Sequence, residues 1–227
     1  MPFNNFAIKY SQRKTLGLYV FSHGVEVRAP SGTPRSVINE FVNKRQEWIL
    51  KHTESLQLKN NERYQLIHGA KIPLLGKPKE LIIKPAHSNR AKETHCTIIL
   101  EVTKNDQSVV EQVFRKLLLS KAQQHLPELT KQLASDIGLD HHLTGVVFRR
   151  TKTKWGHCTS KGRIQYNWLI MMAPENIIYS LVAHEVAHLA HMNHSKEFWA
   201  LVAKLDPNYK THKKWLTEHG HRFDVFK

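Results

Sequence analysis

Residues 184–188 read HEVAH, which places two histidines four positions apart with a glutamate directly after the first. On an α-helix of 3.6 residues per turn, His184 and His188 lie one turn apart on the same face, so both imidazoles can reach one ion. Glu185 points away from that ion but lies close enough to accept a proton from a water molecule that the ion activates. Zinc suits neutral imidazole ligands with one open position. The spacing therefore predicts a zinc-dependent hydrolase with Glu185 as the general base.

The residues before this motif help to separate a metal site from an incidental match. Ile177 to Ala183 form a strongly apolar stretch with helical spacing, which predicts a largely buried helix that begins near Pro174. Burying two histidines and a glutamate is costly without a metal or other partners. The alternatives are hydrogen-bonded core histidines, or histidines on a solvated helix face. The apolar context favours the metal site.

A zinc site of this kind needs a third protein ligand, and three residues compete for that position. His191 shares the helical face, but seven positions at a rise of 1.5 Å put it roughly 10 Å beyond His184, which is too far unless the helix bends. Asn193 tolerates the left-handed conformation that ends many helices, so the chain can turn there and bring His194 back over the metal. Glu197, on the next helix, is the weaker alternative. The spacing favours His194.

Other side chains near the motif could assist the reaction or pack beneath it. A second group that stabilises negative charge on the substrate oxygen would benefit such a hydrolase, and Tyr209, His212 and Arg150 have suitable chemistry without a basis for ranking them. Five aromatic residues are expected to be packing residues more than substrate-stacking residues. They are Trp155, Tyr166, Trp168, Phe198 and Trp199.

A longer block of the sequence resembles the YgjP-like metallopeptidases, a zincin family similar in character to SprT-like proteins. It contains KTKWGHCTSKGRIQYNW, then AP, then IIYSLVAHEVAHLAHMNHSKEFWALVAKLDPNYKTHKKWL, from about Arg149 to Leu216. In that family a WGSCSSKG-type turn, an N-W strand, the HExxH helix and an NHS-x-x-F-W sequence recur in this order. The resemblance implies that Glu185 is the base and that the zinc ligands are His184, His188 and His194.

Two departures from family patterns stand out. HEVAHLAHMNH shares its three histidines with the HExxHxxGxxH pattern of metzincins, but His191 replaces the glycine at which the metzincin helix breaks. No methionine follows Met192, so a Met turn is also missing. His157 stands where YgjP-like proteins usually have serine, which leaves the role of that turn open.

The net charge is strongly positive. Lys and Arg number 34 against 19 Asp and Glu, which gives +15 and a pI near 9.9. Such a charge attracts polyanions, although scattered basic residues also keep a surface soluble.

Three functions follow. The first is a peptidase acting on a peptide or protein. The second, which the resemblance brings, is hydrolysis of nucleoside triphosphates such as UTP; without a Walker A loop, phosphate binding would depend on Lys, Arg and the metal. The third is a basic nucleic-acid-associated protein with an SprT-like role.

The pattern of elements predicts an α+β fold. Residues 1–104 are expected to form a β-rich N-terminal region that starts with a β meander from Phe6 to Pro30. Residues 105–227 are expected to form a zincin-like hydrolase domain, with an active-site helix beside a small sheet. This domain begins with a long helix that Pro127 could kink or split. By analogy with zincins, we expect the strand Arg163 to Ile170 to pair with an extended substrate.

The remaining features concern the compartment. The sequence contains Cys96 and Cys158 as its two cysteines, so we expect neither a disulfide framework nor a CxxC zinc motif. The first residues lack the apolar core of a signal peptide, and 18 consecutive apolar residues do not occur. The expectation is a cytoplasmic protein without membrane association.

Overall fold

The structure, a computed structural model, describes residues 5–21 and 23–226. Helices and small sheets combine in an α+β fold, as predicted. The chain divides into two compact units, Met1–Glu62 and Arg63–Lys227. The boundary predicted between residues 104 and 105 falls inside the second unit. The division into a β-rich region and a hydrolase domain therefore remains a proposal about function.

The first unit contains a three-stranded sheet and two helices. Its central strand is β3, which is antiparallel to β2 and parallel to β1, so the predicted meander is wrong because a meander pairs each strand with the next. Alternate residues of β3, Val25, Val27 and Ala29, are buried, so one face of this central strand packs against the core of the first unit. The elements are β1 (Phe6–Ser11), β2 (Gly17–Phe21), β3 (Gly24–Pro30), α1 (Arg35–Asn43) and α2 (Gln46–Asn61).

The second unit begins with a four-stranded sheet in the order β4-β5-β7-β6. A two-residue turn joins β4 to β5, and Leu75 and Gly76 both have positive φ angles, 52° and 73°, as a type I′ hairpin requires. β5 is parallel to β7, and the other pairs are antiparallel. The strands are β4 (Lys71–Leu74), β5 (Lys77–Pro85), β6 (Arg90–Glu93) and β7 (Thr97–Val102).

The long helix α3 (Gln107–Asp136) packs beside this sheet. It begins where the side chain of Asp106 accepts a hydrogen bond of 2.8 Å from the backbone N–H of Ser108. Pro127 lies inside the helix without splitting it. Apolar residues on one side of α3, among them Phe114 and Leu118, belong to the same hydrophobic core as the sheet.

A second, three-stranded sheet follows in the order β8-β10-β9. Its strands are β8 (Gly145–Phe148), β9 (Gly156–Cys158) and β10 (Arg163–Tyr166). The strand predicted to reach Ile170 ends at Tyr166, because Asn167 caps a 3-10 helix at Trp168–Met172. β10 is paired on both sides, so the prediction that it pairs with substrate is wrong. Within this sheet, β9 is an edge strand.

Three helices complete the chain: α4 (Glu175–Ala187), α5 (Lys196–Leu205) and α6 (Tyr209–His219). α4 contacts α3, α5, α6 and β9, so it lies at the centre of the second unit. Its apolar residues, including Ile177, Val182 and Val186, are buried as predicted. Among the described residues, no helix is both long enough and apolar enough to cross a membrane.

Candidate metal centre

The C-terminal end of α4 carries the two histidines of the motif. The ring centroids of His184 and His188 lie 5.0 Å apart, as their spacing on one helical face predicts. Burial lowers the pKa of His184 to about 4, and the neighbouring His188 adds to this effect. Burial also lowers the pKa of His188. Both rings are therefore held in the neutral form that a metal ligand requires.

The chain turns away directly after α4. The helix ends at Ala187, and the backbone N–H of His191 donates to the carbonyl of Ala187 at 3.1 Å. Among the described non-glycine residues, only Leu75 has a positive φ angle, so the left-handed conformation expected at Asn193 is wrong. Instead, backbone hydrogen bonds between residues three or four positions apart form the turn, and they begin where the helix ends.

This turn returns His194 to the pair. Nε2 of His194 lies 3.3 Å from Nε2 of His184, and its ring centroid lies 4.9 Å from that of His188. One ring nitrogen from each of the three histidines lies within 4.8 Å of the others. Ligands of a tetrahedral zinc ion are about 3.4 Å apart, so zinc binding would require the widest of these spacings, which is at most 4.8 Å, to shrink by up to about 1.4 Å.

The competing ligands lie elsewhere. The carbonyl of His191 lies 2.9 Å from Nδ1 of His188, which leaves Nε2 of His188 as the ligand atom when Nδ1–H donates to that carbonyl. Glu197 lies exposed in the first turn of α5, where a hydrogen bond with the side chain of Ser195 lowers its pKa. Among the described residues, the group able to hold a metal consists of His184, His188 and His194.

Glu185 lies buried against β9, with 4% of its surface exposed. Burial raises the pKa of its carboxyl to about 8, while Lys154 and a hydrogen bond from the backbone N–H of Cys158 act in the opposite direction. A Cβ atom on Gly156 would lie 2.6 Å from Cδ of Glu185. Glycine is therefore required at this position by the close approach of the carboxylate. Sequence reasoning missed both β9 residues, because their sequence distance from the motif hides the contact.

Phe198 packs against all three histidines. It is fully buried, and its ring centroid lies 5.0 Å from that of His184, 4.5 Å from His188 and 4.8 Å from His194. The capping residue Ser195, which accepts from the backbone N–H of Phe198 at 3.3 Å, sets the start of α5 and so the position of this ring. The sequence predicted that Phe198 is a packing residue. In the structure it packs against the three histidines of the cluster.

The cluster opens into a cavity of about 360 Å³. Glu185, His184 and His194 contribute to its lining, together with residues before β9 and on α5 and α6. Of the five aromatic residues expected to pack, Tyr166, Trp168 and Phe198 are buried. The other two, Trp155 and Trp199, are partly buried and line the cavity.

Stacked rings form one wall of this cavity. The ring of His194 stacks on Trp199 at 5.4 Å, and Trp199 stacks on Tyr209 at 5.3 Å. The ammonium of Lys213 lies 4.8 Å from the centroid of Trp199. His194 is exposed to solvent, and the ring of Trp199 supports it together with that of Phe198.

Of the three candidates for stabilising a substrate oxyanion, Tyr209 and His212 line the cavity and Arg150 does not. Nδ1 of His212 lies 2.9 Å from Asp206 Oδ2, and its Nε2 lies 3.1 Å from Asn176 Nδ2. Asn176 precedes His184 by eight residues, about 12 Å along the helix. His212 therefore links α6 to the start of α4. Arg150 donates to Asp224 at 2.6 Å and to the carbonyl of Phe226 at 3.0 Å, and so binds the C-terminal segment.

Tyr209 and His157 lie on α6 and β9, two elements that contact α4. Tyr209 lines the cavity, one ring removed from His194 in the stack. His157, the departure from the usual serine, is exposed on β9 opposite Gln165. Burial is the main cause of the lowered pKa of His188, and a positive charge on His157 would act in the same direction.

Comparison with known proteins agrees with the geometry. A family model described as YgjP-like, metallopeptidase domain, matches residues 14–219. Among solved structures, the metallopeptidase zymogen of Pyrococcus abyssi abylysin shares 23% identity at a TM-score of 0.36, over 40% of this chain and 91% of that chain. A likeness at that TM-score carries no weight for the fold. No curated protein matches the chain.

Proposed function

The chain belongs to the YgjP-like metallopeptidase family, and we propose that it is a zinc peptidase with Glu185 as general base and with His184, His188 and His194 as metal ligands. Family membership makes the protein a metal-dependent hydrolase of the peptidase type. The observation that carries the finer proposal is the convergence of three imidazoles beside a buried carboxylate. A donor set of neutral imidazoles suits zinc, whereas magnesium and calcium prefer oxygen ligands.

The donor set fits a catalytic site better than a structural one, because three protein ligands leave a fourth position open. When bound, the ion supplies Lewis acidity, which lowers the pKa of a water molecule and polarises a carbonyl group. A cation bound by the histidines would favour the ionised form of Glu185 against the effect of burial. In the proposed reaction Glu185 then accepts the proton of the attacking water and passes it to the leaving amine. The N–H of Cys158 holds this carboxylate in place, and Gly156 leaves room for it.

The free edge of β9 is the proposed binding position for an extended substrate. β10 has a neighbour on each side, whereas β9 pairs with β10 alone in this sheet. The backbone N–H of Cys158 already points to Glu185, so this edge faces the catalytic carboxylate. A peptide added as a further strand would bring its own backbone beside Glu185.

The proposal is tested by measuring zinc content and peptide hydrolysis in the wild-type protein and in Glu185→Gln. We expect both proteins to bind one zinc ion. Turnover of casein or of a peptide library should fall by roughly 10²- to 10⁴-fold in the variant, the usual contribution of a general base. Full activity of Glu185→Gln would contradict the assignment of the base. Absence of peptide hydrolysis by zinc-loaded wild-type protein would contradict the proposed peptidase activity.

Parallel assays test the two alternatives, which are nucleotide hydrolysis and association with nucleic acid. The +15 charge is compatible with a nucleotide or a nucleic acid, but family membership supports neither. Release of diphosphate from UTP by the wild-type protein, lost in Glu185→Gln, would favour the nucleotide. DNA binding that weakens steeply with salt, combined with a fourth protein ligand on the zinc, would favour a nucleic-acid-associated protein.

A further inference from the structure

Three exposed lysines near the metal centre form no ion pair in the described part of the chain. Lys154 and Lys213 line the cavity that contains the metal cluster. Lys210 and Lys213 line a neighbouring groove of about 440 Å³ on α5 and α6. Over residues 5–21 and 23–226, no ion pair within 4.0 Å involves any of the three. The second unit therefore presents unneutralised positive charge where a substrate would bind.

The cavity and the groove are parts of one surface. Trp199, Tyr209 and Lys213 line both, so the cavity at Glu185 continues over the aromatic stack into the groove. The carboxylates among the residues lining them are Glu185 and Glu218, and Glu218 lies 3.8 Å from Lys214. A ligand that extends from the metal centre along this surface meets aromatic rings and ammonium groups.

Two of these ammonium groups lie over aromatic rings. Nζ of Lys213 lies 4.8 Å from the ring centroid of Trp199, and Nζ of Lys210 lies 6.0 Å from that of Tyr209. A cation over a ring is attracted by the electron-rich face while its N–H donors stay available to other acceptors. These lysines are thus oriented without being neutralised.

Their charge reaches the reacting groups. Burial is the main cause of the raised pKa of Glu185, and Lys154 is the largest opposing influence. Burial is likewise the main cause of the lowered pKa of His184, to which Lys213 contributes. Lys154 and Lys213 line the same cavity as Glu185 and His184.

We propose that this surface selects peptides that carry an acidic side chain close to the scissile bond, bound by Lys154 and Lys213, with Lys210 available to a further acidic residue. The inference rests on the proposed function, because it takes the occupant of the cavity to be a peptide. An acidic side chain supplies the missing counter-charge, while a basic one would place like charges together. Attraction of acidic side chains and repulsion of basic ones therefore both contribute to the preference.

Hydrolysis of matched peptides tests the preference. The probes are internally quenched peptides that differ only by Glu, Gln or Lys at each position flanking the cleavage site. At low ionic strength we expect kcat/KM to be roughly five- to tenfold higher for Glu than for Gln, as two partly exposed ion pairs would give, and lower again for Lys. High salt should reduce the difference, because these charges are accessible to screening.

Charge reversal connects the preference to the named lysines. The double variant Lys154→Glu/Lys213→Glu should favour the Lys peptide over the Glu peptide, whereas Lys213→Arg should keep the wild-type order. Lys131→Glu is the matched control, since Lys131 is exposed on α3 and lines neither the cavity nor the groove. Thermal melts of the four proteins show whether any change of preference comes from misfolding.

Binding to zinc-loaded Glu185→Gln separates this inference from the proposed function. Labelled Glu and Gln peptides should bind with the same order of preference as in hydrolysis. If wild type cleaves Glu and Gln peptides equally, the inference is overturned and the peptidase stands. If wild type cleaves neither, yet Glu185→Gln binds the Glu peptide better and loses this with Lys213→Glu, the inference stands and the peptidase falls. Binding of UTP without binding of either peptide would overturn the inference.

Discussion

Two regions of the second unit differ in how their buried charged groups are paired. One is the four-stranded sheet with α3, and the other is the metal centre. In the sheet, the buried ammonium of Lys79 lies 2.9 Å from the carboxylate of Glu93 and donates to the carbonyls of Thr94 at 2.6 Å and His95 at 3.0 Å. Glu93 is also 2.6 Å from Lys121 of α3. These charges are satisfied by the chain itself, and the resulting network joins β5, β6 and α3.

At the metal centre the polar groups are directed at a partner that the chain does not provide. Nitrogen atoms of His184 and His194 face each other at 3.3 Å, and Glu185 is buried with its pKa raised to about 8. Lys154 and Lys213 line the same cavity, and neither forms an ion pair among the described residues. Groups arranged in this way cost stability and are retained for binding and catalysis. The comparison predicts that substitutions in the two regions will have separable effects.

The largest effect should come from His194→Ala. Zinc affinity should fall by roughly a hundredfold or more. Loss of a residue that only supports a ligand typically lowers metal affinity by about 10- to 100-fold, and loss of the ligand itself should lower it further. The free energy of unfolding of the metal-free protein should change by less than about 0.5 kcal/mol, because His194 is exposed. Zinc at a hundred times the wild-type Kd should stabilise wild type by about 2.7 kcal/mol and the variant by far less.

Calorimetric titration with zinc and denaturant unfolding with and without a chelator measure these quantities. His191→Ala is the matched control on the same turn, because its carbonyl and not its imidazole contacts His188. Undiminished zinc affinity in His194→Ala would remove His194 from the site.

A smaller effect, on stability alone, is expected from Glu93→Gln. The free energy of unfolding of the variant should be lower by about 2 to 3 kcal/mol, because the buried Lys79 loses its counter-charge. Zinc affinity and peptide hydrolysis should not change. Lys92→Gln is the control: its ammonium lies 2.8 Å from Glu101 but is 58% exposed, so the loss should be below about 1 kcal/mol. Equal losses in the two variants would contradict the role assigned to burial.

The smallest effect is a pH dependence. Burial raises the pKa of Glu93, but hydrogen bonds from Lys121 and Lys79 outweigh it, so the pKa lies below its ordinary value of 4.5. The folded state then binds fewer protons than the unfolded state, and Glu93 contributes stability above that value. The difference between wild type and Glu93→Gln should be constant near neutral pH and shrink as the pH falls through the lowered pKa. Unfolding curves from neutral to acidic pH measure it, and a difference independent of pH would contradict the ion pairs.

Local patterns predicted the parts of the molecule that depend on neighbours in sequence. The spacing in HEVAH and the apolar residues before it predicted α4, and the structure confirms a helix that places His184 and His188 side by side. The return of His194 was also predicted, although the expected conformation of Asn193 was wrong. Helix periodicity and short-range turns depend on a few adjacent residues, so they can be recognised in one sequence.

Sequence alone thus predicted the motif helix, the candidate ligands and the candidate base. The tertiary structure decided which strand lies against Glu185, that Phe198 supports all three histidines, and that the charge of Lys79 is neutralised while that of Lys213 is not. It also decided the order β8-β10-β9, which exposes β9 and encloses β10. These contacts join residues far apart in the chain, and the packing of whole faces selects among many locally equivalent pairings.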